Sequence, residues 1–199
     1  MTGPTEAPEA GPALYRHADA NPDRVAVVLG RREPASGPGE SGTRTATYRE
    51  LADRATRLAN LLTERGLVPG DVVALLSEPS VRYHEVVWAC RVGGFSYTTV
   101  STQLGADEVR YILSDSGAKA LVLSGAVRSA TDLAADLPDT VLHRLAQRGP
   151  LPGFEDYDEA LRSASATRPT PGPEGQLLQY SSGTTGRPKG IVRDVPAGT

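Results

Sequence analysis

Residues 47–76 read TYRELADRATRLANLLTERGLVPGDVVALL, which is a helix, a turn and a strand in direct succession. The stretch begins with a T-x-x-E capping box, a pattern typical of the first turn of a helix. Leucines and alanines then recur at helical spacing, and Gly66 predicts the end of the helix. The run at 72–76 is continuously apolar, as expected for a strand that is covered on both faces. This stretch therefore predicts an α/β fold.

The same alternation continues on both sides of this stretch. Upstream, the pattern predicts a helix at 11–22, a strand at 24–30, a Pro/Gly-rich loop at 31–44 and a brief strand at 45–48. Downstream, it predicts helices at 80–94, 106–117, 126–137 and 157–165, strands at 95–100, 118–123, 140–145 and 177–180, and an irregular Pro/Gly linker at 166–176. Strands that alternate with helices favour βαβ units. The predicted fold class is α/β: a layered, largely parallel sheet with helices on both faces.

Composition and charge restrict the classes of partner. The chain has 199 residues, of which 39% are hydrophobic, and its formal net charge is −3. This charge gives no reason to expect a nucleic acid or an anionic membrane as partner. Residues 1–11 are rich in Pro, Gly and Glu and are predicted to be disordered, with no secretory signal. The apolar runs are too short for a membrane span, so we expect a cytoplasmic protein.

Residues 180–190 read YSSGTTGRPKG and follow a predicted strand directly. Four hydroxyl groups offer donors, glycines allow successive backbone amides to point into one concavity, and Lys189 adds positive charge. Together these groups suit a polyphosphate. The spacing is not that of a Walker A loop, because Pro188 stands where the second glycine would be and Gly190 follows the lysine. A flexible Gly/Ser surface loop is the alternative interpretation of this stretch.

The stretch resembles the phosphate-binding signature of the adenylate-forming enzymes, the AMP-dependent synthetase/ligase superfamily. This superfamily includes acyl-CoA synthetases, peptide-synthetase adenylation domains and firefly luciferase. Every defining position matches from Ser181 to Gly190, residues 47–80 and 88–122 also resemble the family, and the resemblance spans roughly residues 12–195. The segment FSYTTVST at 95–102 departs from the Pro-containing form that is common in peptide synthetases. The resemblance therefore favours an acyl-CoA synthetase.

The resemblance implies a two-step reaction. A carboxylate attacks the α-phosphorus of ATP to give an acyl-adenylate and pyrophosphate, and a thiol, often that of coenzyme A, then takes the acyl group. Mg²⁺ would be bound through the phosphates. The residues that the resemblance assigns to nucleotide binding are Ser181, Ser182, Gly183, Thr184, Thr185, Gly186, Lys189 and Gly190. The implied partners are a carboxylic acid and CoA, and a carrier-protein thiol remains open as the acceptor.

The resemblance also implies a division of the chain. Residues 12–199 correspond to the N-terminal portion of the AMP-binding (adenylation) domain, and the C-terminal subdomain with the family's catalytic lysine lies beyond the chain end. We therefore expect an incomplete N-terminal part of the family's fold that does not adenylate alone and self-associates. Two alternatives stay open, a peptide-synthetase-type adenylation domain and a non-catalytic nucleotide-binding remnant. We interpret Cys90 as a small buried residue rather than a nucleophile.

Overall fold

The computed structural model describes residues 12–30, 45–181 and 189–192. The helices are α1 (Ala13–Ala20), α2 (Tyr48–Glu64), α3 (Val81–Gly93), α4 (Ala106–Asp115), α5 (Ala130–Ala135) and α6 (Tyr157–Ser163). The strands are β1 (Val25–Val28), β2 (Thr45–Thr47), β3 (Val72–Leu76), β4 (Ser96–Thr99), β5 (Ala120–Ser124), β6 (His143–Gln147), β7 (Glu155–Asp156), β8 (Leu178–Ser181) and β9 (Lys189–Val192). No helix within these ranges is both long enough and apolar enough to cross a membrane.

Five strands form the central sheet, in the order β4-β3-β5-β6-β7. Every neighbouring pair in this sheet is parallel. Helices α3, α4 and α5 make the crossovers from β3 to β4, from β4 to β5 and from β5 to β6, and residues 148–154 connect β6 to β7 without a helix. The order reverses direction after β4, which makes the sheet doubly wound. Strands β1 and β2 pair antiparallel outside this sheet. The predicted α/β class with a largely parallel sheet is confirmed.

The two faces of the sheet bury separate hydrophobic clusters. Along β3, Val73 and Leu75 belong to one cluster and Ala74 and Leu76 to the other, because successive side chains point to opposite faces. The first cluster includes residues of α1, α2, α3 and α6, and the second includes residues of α4 and α5. The prediction of helices on both faces is confirmed. The continuous apolar run of β3 follows from this double coverage.

Helix α2 begins with the predicted capping box. The Thr47 amide donates to Glu50 Oε2 at 2.8 Å, and the Glu50 amide donates to Thr47 Oγ1 at 3.2 Å. The helix then buries eight residues of its 17 against its neighbours, which accounts for its length. Gly66 follows in a left-handed conformation with φ of 91°, as the sequence predicted.

We expect Thr47→Ala to lower the free energy of unfolding by about 1 kcal/mol, because the variant loses the N-cap acceptor. Thr63→Ala is the control: Thr63 is exposed in the last turn of α2, where alanine is a good helix former. The hydrogen bonds from Thr47 hold the pKa of the Glu50 carboxyl below its ordinary value. The stabilisation that depends on the ionised Glu50 carboxylate is therefore fully present above the ordinary carboxyl pKa. It is lost as the pH falls through the lowered pKa of the folded state. Urea denaturation at neutral and acidic pH measures both the stability lost in Thr47→Ala and the pH dependence of that loss.

Several predicted boundaries were wrong. Helix α5 starts at Ala130 and not at 126, because turns bring the Val127 amide to Ser124 O and the Ala130 amide to Val127 O. Strand β6 starts three residues later and ends two residues later than predicted, since pairing with β5 sets its limits. Strands β7 and β9 were not predicted. The predicted disorder of residues 1–11 and the predicted loop at 31–44 lie outside the described residues.

Candidate functional site

Two strands frame the motif at 180–190. Strands β8 and β9 pair antiparallel, with Ser181 opposite Lys189 and Tyr180 opposite Gly190. Residues 182–188 connect these two paired positions along the chain. Ser181 and Lys189, which flank residues 182–188, therefore lie side by side on paired strands.

The predicted nucleotide-binding residues fall into two groups. Ser181, Lys189 and Gly190 lie on the two paired strands. The other predicted residues lie outside the described residues, and their contacts with a nucleotide stay predictions: Ser182, Gly183, Thr184, Thr185 and Gly186.

The strand pair adjoins the central sheet at β4. Tyr97 of β4 and Leu177, which directly precedes β8, form a parallel bridge, and the Tyr97 amide donates to Gln176 O at 2.9 Å. Strand β8 thus runs in the same direction as the five parallel strands, and Ser181 lies at their carboxyl edge. Ligands of open α/β sheets bind at this edge. The motif therefore starts where the fold class places binding sites.

The predicted linker at 166–176 is irregular, as expected, and hydrogen bonds tie both of its ends to helices. Gly175 donates its amide to Arg91 O at 3.0 Å, and Arg91 Nε donates to Glu174 Oε2 at 3.0 Å. At its other end, Asn60 Nδ2 donates to Ser165 O at 2.7 Å and to Thr167 O at 2.8 Å. We call residues 165–176 the strap. The hydrogen bonds of the strap position β8 beside β4.

A side-chain contact ties β8 to α4. The Tyr180 hydroxyl donates to Asp115 Oδ2 at 2.7 Å. Burial and the neighbouring Asp115 carboxylate raise the pKa of Tyr180, so the phenol stays protonated at neutral pH. Sequence reasoning counted Tyr180 in the motif but assigned it no role, and it missed Asp115. No local spacing could reveal this contact, because 65 residues separate the two side chains.

A cavity of about 300 Å³ lies elsewhere on the carboxyl edge, near the end of β6. Two arginines and two aspartates are among the residues that line it: Arg82, Arg148, Asp156 and Asp158. Arg82 already forms an ion pair with Asp158. The side chains of this cavity thus carry no excess positive charge that would attract a triphosphate. The motif at 180–190 remains the stronger candidate for phosphate.

Two other sequence-based hypotheses can be compared with the geometry. Cys90 is fully buried, and burial raises the pKa of its thiol, which confirms its interpretation as a buried residue rather than a nucleophile. Within residues 12–30, 45–181 and 189–192, no three His, Cys, Asp or Glu side chains form a group that could hold a metal ion. The expected Mg²⁺ ligands are phosphate oxygens, so this finding does not test that expectation.

Comparison with known proteins identifies the family. The profile of the family described as AMP-binding enzyme matches residues 14–195. The chain is 37% identical over 152 residues to the long-chain-fatty-acid–CoA ligase FadD13 of Mycobacterium tuberculosis, covering 73% of this chain and 29% of that protein. It is 35% identical over 156 residues to the nonribosomal peptide synthetase NPS2 of Ceriporiopsis subvermispora, covering 78% of this chain and 6% of that protein.

The fold agrees with this assignment. A solved fatty acyl CoA synthetase of Mycobacterium tuberculosis superimposes with a TM-score of 0.69 and 31% identity, covering 90% of this chain and 33% of that structure. The chain thus spans about a third or less of the length of the relatives that it matches. The profile match, the identity to an acyl-CoA ligase and the shared fold agree with the resemblance drawn from residues 180–190. The chain belongs to the AMP-binding enzyme family of adenylate-forming acid ligases.

Proposed function

We propose that this chain supplies the ATP phosphate-binding loop of an acid–CoA ligase that activates a carboxylic acid as its acyl-adenylate. One observation carries the proposal: the antiparallel pairing of β8 with β9 brings the two ends of the Ser/Thr/Gly/Lys segment together at the carboxyl edge of the parallel sheet. The 37% identity to a long-chain-fatty-acid–CoA ligase supports a fatty acid as the substrate class. Membership of the family supports ATP as the activating nucleotide.

The chemistry of the proposed loop follows from charge. When a carboxylate displaces pyrophosphate at the α-phosphorus, negative charge builds on the leaving group. Fixed hydroxyl and amide donors together with an ammonium group stabilise that charge better than water can, because they need no reorganisation. In this proposal the hydroxyls of Ser182, Thr184 and Thr185, the amides of Gly183 and Gly186, and the Lys189 ammonium group provide these donors. Mg²⁺ bound to the phosphate oxygens would add Lewis-acid stabilisation.

Lys189→Ala is expected to weaken binding of Mg·ATP to the chain by roughly tenfold to a hundredfold, as loss of a charge-assisted hydrogen bond predicts. The control is Lys119→Ala, since Lys119 is the other lysine of the chain. Lys119 Nζ pairs with Asp71 Oδ1 at 2.7 Å, away from the strands of the motif. Lys119→Ala therefore tests whether the loss of a lysine outside the motif also lowers the affinity for Mg·ATP. Isothermal titration calorimetry measures the three dissociation constants.

The outcomes of this titration separate the alternatives. Equal affinity of the wild type and Lys189→Ala would contradict the assignment of the loop. Equal losses in Lys189→Ala and Lys119→Ala would indicate a general effect of charge. If the unmodified chain does not bind ATP, the proposed function of the chain is wrong. Binding without ATP–pyrophosphate exchange is the result that we expect, because the chain matches only 29% of the ligase's length.

A carrier-protein thiol is the second candidate acceptor. The 35% identity to a nonribosomal peptide synthetase supports it, although that match covers only 6% of the relative. Thioester formation by the complete ligase proposed above, assayed in parallel with CoA and with a phosphopantetheine-bearing carrier protein, distinguishes the two acceptors. A non-catalytic nucleotide-binding role would give ATP binding with neither thioester. We further propose a cytoplasmic location, where ATP and CoA are available.

A further inference from the structure

We propose that Tyr180 is a positioning residue: its hydroxyl group, bonded to Asp115, holds the β8–β9 strand pair and both ends of the candidate phosphate loop against the carboxyl end of α4. The consequence for ATP rests on the function proposed above. The positioning itself does not, because it concerns only the described backbone and side chains.

The first support is the geometry of the hydrogen bond. Tyr180 Oη lies 2.7 Å from Asp115 Oδ2, a short distance typical of a neutral donor on a carboxylate. The Asp115 carboxylate is oriented by its own helix, since Tyr111 Oη lies 3.4 Å from its other oxygen. Asp115 is the last residue of α4, so its position is fixed by the helix. Tyr180 thus bonds to a group whose position does not depend on the motif.

The second support is the packing of the Tyr180 ring. The side chain is partly buried and lies against the cluster that includes Ile112 and Leu113 of α4. The ring therefore buries apolar area on the helix while its hydroxyl reaches the carboxylate. Tyr180 thus anchors β8 both through its apolar ring and through its hydroxyl group.

The third support is the glycine opposite Tyr180. Gly190 pairs with Tyr180 in the register of β8 with β9. A Cβ atom at position 190 would lie 3.2 Å from Tyr180 Cζ and 3.3 Å from Tyr180 Oη. Any side chain there would push against the phenol group that bonds to Asp115. Gly190 thus leaves room for the Tyr180 ring.

Hydrogen–deuterium exchange of the full chain tests the positioning without ATP. In Tyr180→Phe, we expect amides in peptides spanning 177–192 to exchange about fivefold faster, because the ring remains and only the hydrogen bond is lost. The matched control is Tyr111→Phe, which removes the other phenol from the same carboxylate but leaves β8 bonded. In Tyr111→Phe, we expect peptides spanning 177–192 to exchange as in the wild type.

Variants of Asp115 show whether the two groups act together. Asp115→Asn retains an oxygen acceptor but loses the charge, so its exchange is expected to lie between that of the wild type and that of Asp115→Ala, whereas Asp115→Ala should match Tyr180→Phe. The double variant Tyr180→Phe/Asp115→Ala should exchange no faster than either single variant, since both remove the same bond. Additive effects, unchanged exchange in Tyr180→Phe, or equal acceleration throughout the chain would each overturn the proposal.

Titration of the same variants with Mg·ATP tests the link to function. If the wild type binds ATP, Tyr180→Phe is expected to bind about fivefold more weakly while Tyr111→Phe binds as the wild type. Unchanged affinity in Tyr180→Phe would overturn the role of the bond in nucleotide binding. If the wild type does not bind ATP, the proposed function of the chain fails, and the exchange measurements alone decide whether Tyr180 positions the strand pair.

Discussion

Gly175→Ala is expected to lower the free energy of unfolding by about 3 kcal/mol, which corresponds to a fall in Tm of about 10 °C for a chain of this size. A Cβ atom at position 175 would lie 2.0 Å from Phe95 O and 2.3 Å from Cys90 O. Both distances are far below van der Waals contact. Because both oxygens belong to the backbone, no change of side-chain rotamer can relieve the overlap.

The surroundings of Gly175 cannot yield easily. Cys90 and Phe95 are both buried, and the Phe95 amide donates to Cys90 O at 2.9 Å where α3 ends. Gly94 lies between them in a left-handed conformation with φ of 74°. The methyl group would therefore displace the strap rather than the end of α3. The Gly175 amide would then lose its bond to Arg91 O.

Gly172→Ala is the matched control on the same strap. A Cβ at position 172 would have its nearest neighbour, Thr170 O, 4.0 Å away, which is ordinary contact. We expect its free energy of unfolding to lie within about 0.5 kcal/mol of the wild-type value. Chemical denaturation of the three proteins measures the difference, and a Gly175→Ala chain as stable as Gly172→Ala would contradict this account of the strap.

The strap also connects this prediction to the site. It runs directly into β8, the strand that leads into the motif. A strap displaced by Gly175→Ala would shift the parallel bridge between Tyr97 and Leu177. We therefore expect the variant to show faster amide exchange in β8 as well as lower stability.

Elements whose signals are local were predicted well from the sequence. Helix α2 is the clearest case, because its capping box, apolar face and terminal glycine all lie within residues 47–66. Strand β3 was predicted with the bounds that the structure shows. A strand that is covered on both faces is marked by its own continuous apolar run, so it can be recognised without knowing which strands pair with it. These elements were sufficient to predict the α/β class. The order of the strands is not a local property, and the sequence alone did not predict it.

The errors in the strands concern elements that depend on distant partners, whereas the error at the start of α5 comes from local turns. Strand β7 comprises only Glu155 and Asp156, two exposed polar residues that no hydrophobic pattern marks. Asp156 also caps α6, because its side chain accepts a bond from the Glu159 amide at 2.9 Å. Its pairing with β6 arises only once the sheet has formed.

The candidate site shows the same division. Its phosphate-binding character was predicted from residue types within one stretch of eleven residues, 180–190. Strand β9, which closes the other side of the motif, was missed because its apolar character is limited to Ile191 and Val192. The contact of Tyr180 with Asp115 and the close packing of Gly175 depend on tertiary structure. The sequence thus indicates which chemical groups the candidate site offers, but not the tertiary contacts that hold its two strands in place.

Glu85→Ala is expected to lower the free energy of unfolding by about 3 kcal/mol, because it leaves buried partners without their acceptor. Glu85 is only 3% exposed and lies between three helices. Its carboxylate accepts from Arg54 Nε of α2 at 2.7 Å and from the Tyr157 hydroxyl of α6 at 3.1 Å. Removing it would leave the buried Tyr157 phenol unsatisfied and the Arg54 Nε without its acceptor, although Arg54 keeps its ion pair with Asp158.

The charges of this cluster depend on one another. Burial would lower the pKa of Arg54, but Glu85, together with Tyr157 and Asp158, more than reverses this effect, so the pKa of Arg54 lies above its ordinary value. Burial raises the pKa of the Glu85 carboxyl, whereas Arg54 and Tyr157 act to lower it. The ionised carboxylate is thus held at a cost. Asp158 also pairs with Arg54 and would compensate only part of the lost charge.

Two further variants separate the buried contact from its charge. Glu85→Gln keeps an oxygen acceptor and avoids the cost of a buried charge, so we expect it to lose only about 1 kcal/mol. Glu159→Ala is the matched control on α6, since Glu159 pairs with Arg162 at the exposed surface and should contribute less than about 0.5 kcal/mol. Urea denaturation measures all three. Glu85→Ala as stable as Glu159→Ala would mean that the helices α2, α3 and α6 are held by apolar packing alone, and that the buried cluster adds nothing to it.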